Sequence, residues 1–302
     1  LRTIGTRGCG RFSLPVSIKN DLQAGGKLFC ETAREAVLSW NTLAPEGELF
    51  VRILRAHQPD SDWLPHAKWS RTGRHSFSAK DHDLIIETDV VRSSQPFDGM
   101  EVTAQGVDFA LLALATPTYN TPSAGYAKSG IKLDVPLRTQ YVEQERGWCS
   151  PAALSMLNAF HGHDIDVAAT ARSVFDFAYN GTGNWAFNTA FSGTLGLRAV
   201  VAYLRNLDHA AHFLARGIPL GLSYSWNGDE LPGAPIEHSD GHLVALCGFN
   251  DNGDCLINDP AAPGVAVVYP RAAIENIWQR NKGIAYIVAP PDNRDLEALI
   301  NG

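Results

Sequence analysis

A chain of 302 residues is longer than one ordinary core requires and suits two domains of roughly 100 to 200 residues each. Hydrophobic residues at 45% and charged residues at 19% give the balance of a globular protein and exclude a disordered chain. A formal net charge of -7 without any basic run excludes the electrostatic footprint of a nucleic-acid binder, and no apolar run approaches the roughly 18 residues of a membrane span.

Leu1 to Ser13 lacks the charged start and apolar core of a signal peptide, yet the sequence opens on Leu rather than Met. That start fits loss of an upstream segment and leads us to expect a secreted or cell-envelope protein. Five cysteines, Cys9, Cys30, Cys149, Cys247 and Cys255, form no Cys-x-x-Cys pair, which argues against a zinc ribbon and against a dense disulfide framework. Export would allow a Cys9–Cys30 bridge, for which the sequence supplies no geometry.

The first 125 residues read as short strands broken by turns, at Ala36–Trp40, Leu49–Arg55, Leu84–Val91 and Met100–Ala115. They predict an antiparallel β-sandwich or jelly-roll module that serves as an accessory or binding domain. Tyr119 to Gly130, with Pro122, Ser123, Gly125 and Ser129, has the composition of a connector, which puts a boundary near residue 125 and a second domain over 126–302.

In the second domain Ala153, Leu154, Leu157 and Phe160 recur at helical spacing and predict a helix over Pro151–Phe160. Leu207–Ala215, stopped by Gly217 and Pro219, predicts another. Strand-like runs follow at Pro219–Tyr224, His242–Phe249, Cys255–Asn258, Gly264–Tyr269 and Ile284–Val288. Helix first and sheet afterwards is an α+β order.

Cys149 precedes the first of these helices in Gly147-Trp148-Cys149-Ser150-Pro151, and Pro151 suits a first helical turn. A cysteine at a helix N-terminus lies at the positive end of the dipole, which favours the nucleophilic thiolate. A buried structural cysteine is the alternative. A thiolate nucleophile needs a histidine base and a group that orients that base. His242 opens one strand-like run and Asp259 closes the next, with a hairpin signal at Asn250-Asp251-Asn252-Gly253-Asp254 between them. A hairpin centred between Asn250 and Asp251 would set His242 opposite Asp259. A two-residue turn at Asn252-Gly253 would instead set Leu246 opposite Asp259 and leave His242 roughly 13 Å away along a flat strand, unless a bulge or bend brings it closer. Read singly, His242 could be a strand-edge histidine and Asp259 a turn-former.

Together these segments resemble a family. Leu133-Asp134-Val135-Pro136, Gln140, Gly147-Trp148-Cys149-Ser150-Pro151-Ala152-Ala153-Leu154, Asp240-Gly241-His242-Leu243-Val244 and Asn258-Asp259-Pro260 resemble the papain-fold cysteine peptidases related to double-glycine leader peptidases, in their stand-alone bacterial branch without a transporter. The resemblance covers roughly residues 131 to 290. It implies a papain-like domain, peptide bond hydrolysis and a catalytic set of Cys149, His242 and Asp259, with an upstream Gln assisting the Cys149 amide at the oxyanion. Gln140 fits by motif context and Gln144 by its distance from the cysteine, and position 143, six before the cysteine, is Glu. Ser150 stands where leader peptidases often have Gly. Gly181–Asn188 is also similar to segments of that branch, with no role attached.

The resemblance implies no metal or organic cofactor and a peptide or protein substrate. Two other readings stay open: a transpeptidase or acyltransferase on the same residues, and an inactive protein whose first domain binds a glycan or a cell-surface protein. Trp40, Trp63 and Trp69 could stack on sugars, although aromatic residues more often fill a core. His57, His66, His75, His82, His161 and His163 match no known metal-binding spacing.

Overall fold

The computed structural model describes residues 16–117, 130–143, 147–293 and 295–301. The expected boundary near residue 125, Cys9 of the expected Cys9–Cys30 pair, and Gln144 lie outside these residues.

The first half is antiparallel β throughout: β1 (Val16–Leu22), β2 (Gly25–Asn41), β3 (Glu46–Leu54), β4 (Leu64–Ser70), β5 (His75–Ser76), β6 (Ala79–Asp81), β7 (Leu84–Glu87), β8 (Val90–Gln105) and β9 (Phe109–Ala115). These strands hydrogen-bond into one nine-stranded sheet in the order β1-β9-β2-β8-β3-β4-β5, with β7 joining β8 and β6 joining β7. Two runs expected as single strands are each divided by a turn. Thr88 and Asp89 break Leu84–Val91, and Gly106, at φ +76°, breaks Met100–Ala115. The pairing of β2 with β8 shifts register around Ala33, which makes two long strands out of shorter ladders.

The second half opens with β10 (Ile131–Lys132), then α1 (Cys149–Phe160), α2 (Val167–Val174) and α3 (Trp185–Thr194). There follow β11 (Arg198–Tyr203), α4 (Leu207–Leu214), β12 (Leu220–Asn227), β13 (His238–Phe249), β14 (Cys255–Asn258), β15 (Ala266–Tyr269), α5 (Arg271–Arg280), β16 (Ile284–Ala289) and α6 (Leu296–Asn301). Its sheet is antiparallel in the order β11-β16-β12-β13-β14-β15, with β10 added to β13. Among the described residues no helix is long and apolar enough to cross a membrane.

The halves share their packing. Along β9, Leu112 and Leu114 face a core that holds Trp40, Trp69 and Phe187 of α3, whereas Leu111, Ala113 and Ala115 face the core of the second half. Trp40, Trp69 and Phe187 meet edge to face or tilted at 5.9–6.3 Å between ring centroids, so Trp40 and Trp69 are core residues. Trp63 lies at the surface under the Arg52 guanidinium, 5.0 Å from the ring centre.

Two sheet edges, β11 and β1, are covered by side chains. β11 ends the second sheet, and β2 satisfies its free backbone groups: the Ala199 and Val201 N–H groups donate to Asn41 Oδ1 (3.0 Å) and Ser39 Oγ (3.1 Å), and Asn41 Nδ2 donates to the Ala199 carbonyl (2.8 Å). A Cβ on Gly193 of α3 would stand 2.6 Å from the Asn41 Cβ, so this close crossing requires glycine. In the first sheet the edge strand β1 is tied to α6, where Asn301 exchanges two hydrogen bonds with the Val16 backbone and Glu297 accepts from the Ile18 N–H.

Candidate active site

Cys149 is the first residue of α1, partly exposed, with Trp148 at the N-cap offering no side-chain cap. Burial would push its thiol pKa up. The hydrogen bond to His242 and the charge of that ring, together with the Leu243 and Ser150 N–H groups, outweigh burial and hold it below the ordinary value.

His242 lies on β13 and is buried. Its Nε2 meets Asp259 Oδ1 at 2.7 Å, which leaves Nδ1 as the ring nitrogen for the thiol. Burial lowers the pKa of an imidazole, but the carboxylate on one side and the thiol on the other raise that of His242 above the ordinary histidine value. Asp259 has no solvent exposure. Burial works to raise its pKa, and hydrogen bonds from His242, the Tyr269 hydroxyl (2.8 Å to Oδ2) and the Ala261 N–H (2.9 Å to Oδ1) hold it below the ordinary value. The ring of Trp226 stands edge-on to His242 at 5.4 Å and that of Tyr224 at 6.3 Å, which shields the His242–Asp259 contact from water.

Neither register expected for the β13–β14 hairpin is seen. Near the turn Phe249 pairs with Cys255 and Gly248 with Leu256, but beyond Cys247 the pairs are Leu246 with Ile257 and Ala245 with Asn258. Cys247 is the extra residue of a bulge. Continued by one residue, this register sets Asp259 beside Val244, with His242 two residues further along the same face. Without the bulge Asp259 would stand beside Ala245, and His242 would point to the opposite face of the sheet, because side chains alternate with a period of two. The chain leading to α1 crosses at the bulge. The Leu133 N–H takes the Cys247 carbonyl (2.8 Å), and a Cβ on Gly248 would lie 1.9 Å from the Ile131 carbonyl oxygen, so only glycine admits the crossing strand.

Gln140 stands on the Asp259 side of this arrangement. Its N–H donates to the Pro260 carbonyl (3.0 Å), and its side chain is buried with Oε1 unpartnered among the described residues. The structure thus brings Cys149, His242 and Asp259 into one line of contacts and anchors the Gln140 backbone beside them. Cys247 and Cys255 are buried in the hairpin, and burial pushes the thiol of Cys247 up to about 12.

Several neighbours carry no signal in the sequence. Tyr269 closes β15 and supplies the second donor to Asp259. Ser150 Oγ donates to Asn188 Oδ1 and meets the Tyr286 hydroxyl, both at 3.0 Å, while Asn188 Nδ2 holds the Thr182 and Asn184 carbonyls. Gly181–Asn188 therefore acquires a structural role: it joins α1 to the loop beside it. Asn184 caps α3 by accepting from the Phe187 N–H and donates to Asp176 Oδ2 (2.9 Å). Asp176 also accepts from the Ser76 N–H of the first half, and the buried Arg74 donates to the Phe175 and Arg172 carbonyls.

Cys149 opens into a cleft of 760 Å³. Trp148, Asp240 and Leu243 line it near the thiol, Gly181 and Gly183 line another side, and Thr88 and Asp89 of the first half complete it. A more apolar hollow of 440 Å³, with Phe175 and Phe177 in its wall, adjoins it at Trp148.

A family model described as the Peptidase_C39 like family matches residues 132–286, half of the chain. Among solved structures the chain is similar to one described as a C39-like peptidase from Bacillus anthracis, at 18% identity and a TM-score of 0.43 over 54% of this chain and 98% of that one. It is also similar to a double glycine motif protease from an AMS/PCAT transporter, solved in complex with the leader peptide, at 17% identity and a TM-score of 0.37 over 53% and 94%. No curated protein matches. The family match spans β10 to β16 and includes Cys149, His242 and Asp259. The chain belongs to the Peptidase_C39-like family.

Proposed function

We propose that the protein is a cysteine peptidase that cleaves peptide bonds through an acyl-thioester, with Cys149 as nucleophile, His242 as general acid and base, Asp259 as the group that orients the imidazole, and Gln140 with the Cys149 N–H as oxyanion donors. The observation that carries this reading is the buried 2.7 Å contact of His242 Nε2 with Asp259, which turns the other ring nitrogen toward a thiol whose pKa is held down. The opposed shifts of Cys149 and His242 favour a thiolate–imidazolium pair as the resting state.

The thiolate adds to the scissile carbonyl carbon, and the carbonyl oxygen becomes an oxyanion held by N–H donors at the start of α1. Collapse of this adduct breaks the C–N bond as His242 gives its proton to the departing amine. Neutral His242 then takes a proton from water, the hydroxide adds to the thioester carbonyl, and collapse releases the carboxylic acid and restores the thiolate. Asp259 keeps the imidazolium oriented throughout, and Tyr269 with the Ala261 N–H keeps Asp259 ionised.

Residues 126–302 would form the papain-like peptidase domain and residues 1–125 an accessory β domain. The enclosed core shared by β2, β3, β4, β8 and β9 supports reading the nine-stranded sheet as one folded back on itself in a sandwich-like manner.

Site-resolved alkylation of Cys149 by iodoacetamide as a function of pH, in the parent and in His242→Ala, tests the pair. The parent should react well below the pH of an ordinary thiol, and His242→Ala should lose that advantage. Ordinary reactivity in the parent, indifferent to His242→Ala, would sink the proposal.

A further inference from the structure

The tip of the β7–β8 hairpin belongs to the first half of the chain, yet it lines the cleft in which Cys149 stands. Glu87 pairs with Val90 across the turn, so Thr88 and Asp89 form a two-residue loop. Thr88 has φ +59°, a left-handed conformation that is strained for a β-branched residue and for which glycine is the usual occupant of such turns.

The strain is held in place from both sides. Buried Asp89 reaches across the interface, and its Oδ2 accepts the N–H of Trp185, the first residue of α3, at 2.5 Å. The loop before α3 is fixed to the first half a second time, through Arg74 and Asp176. The tip is thus docked on the element that forms the facing wall, and it cannot swing clear as a flexible loop would. Strained residues that the surrounding structure over-determines cluster at sites that bind ligands.

We propose that Thr88 is a specificity-determining residue of the peptidase, a rigid stop contributed by the first half that limits the bulk of one substrate side chain lying between the hairpin tip and the Gly181–Gly183 wall. The inference rests on the cysteine-peptidase reading. It makes the first half a part of the substrate site, and it selects peptides with a small side chain at that position. Phe177 belongs to the adjoining hollow alone, whereas Phe175 lines both the hollow and the cleft.

Two variants compatible with positive φ test it. Thr88→Gly removes the side chain and the strain, and Thr88→Asn keeps a left-handed residue whose longer side chain reaches further into the cleft at nearly the same volume. Parent and variants are given one peptide library of diverse sequence, and cleavage sites with their relative kcat/KM values are read by mass spectrometry. Thr88→Gly should add sites with bulky residues at one fixed position relative to the cut, raising the bulky-to-small ratio of kcat/KM by on the order of tenfold, and Thr88→Asn should lower it. A structural role alone moves the thermal midpoint and leaves the cleavage pattern as it was. If the ratio stays within about twofold of the parent in both variants while cleavage continues, this inference is overturned and the peptidase reading stands. Absence of any cleavage by the parent overturns the peptidase reading and this inference together.

Discussion

Cysteine occurs at the start of α1 and again in the β13–β14 hairpin, a short distance away in the same domain, and the two environments act on the thiol in opposite ways. Cys247 and Cys255 lie among apolar side chains, and burial without enough compensating donors pushes both well up. Cys149 also meets burial, but the His242 ring and the Leu243 and Ser150 N–H groups reverse its effect. Two carboxylates repeat the contrast. Each has three donors, but Asp259 counts the charged His242 ring among them and is held down, whereas Asp89, with the Trp185, Ala186 and its own N–H groups and the Asp176 charge nearby, is pushed up to about 7 by burial. What separates these groups is the number and charge of the donors each one meets.

The comparison breaks most visibly at Cys149. Cys149→Ser should lower cleavage of any peptide substrate by about a thousandfold or more, because a hydroxyl has no comparable thiolate form, while Cys247→Ser leaves the rate close to the parent's. A kinetic assay on both variants decides which thiol the chemistry uses.

The next largest effect belongs to the pH profile. Cys149 is lowered and His242 raised, so activity should rise as Cys149 ionises at a pH below the ordinary thiol range and fall as His242 loses its proton above the ordinary histidine range. In His242→Ala the acid limb should move up by at least about one pH unit and the rate at pH 7 should drop by about a hundredfold. An acid limb in the same place as the parent's would assign the lowered thiol to the helix dipole and backbone donors instead.

Tyr269→Phe takes one donor from Asp259 without opening the core. It should cost about 1 kcal/mol, close to fivefold in kcat, with KM nearly unchanged. A change confined to KM would place Tyr269 in binding rather than in holding the carboxylate.

The last effect is on stability rather than on rate, at the interface between the halves. The folded pKa of Asp89 lies above its unfolded value, 3.8 raised to about 7, so the folded state binds the extra proton and stability from this group declines as pH rises through that interval. Asp89→Asn keeps an oxygen acceptor for Trp185 and removes the titration, so its thermal midpoint should vary less than the parent's between pH 4 and about 7. Parallel melting curves for the two proteins across that interval would contradict the assignment.

Much of the candidate site was legible because its parts are written locally. The small and apolar periodicity after Cys149 with Pro151 announces a helix start, and His242 and Asp259 each mark the end of an apolar run. The bulge was not legible. Whether Cys247 enters the ladder depends on the strand crossing at Gly248, more than a hundred residues earlier in the chain, and no turn rule at Asn250–Asp254 contains that information. The helices α2, α3, α5 and α6 are less legible: Asp166 and Asn184 cap α2 and α3 locally, but the apolar faces are short and the contacts that hold these helices come from other segments. Asp89 illustrates the limit: as sequence it is a turn residue between two strands, and only the fold makes it the partner of α3. The two-domain reading likewise rested on a change of composition, and composition is silent about the contacts that join the halves.

The covered edge of β11 has a consequence for how the chain reaches this state. Ser39 and Asn41 leave the ribosome well before β11, and they wait in a sheet one face of which, around Val37, Leu111 and Ala113, has no partner until the later residues arrive. Each half thus matures as an incomplete surface, and a C-terminal fragment produced alone would display a free strand edge able to recruit neighbouring chains. Truncation near residue 125 should yield aggregation rather than a smaller folded protein, and co-production of the missing half in trans is the natural remedy.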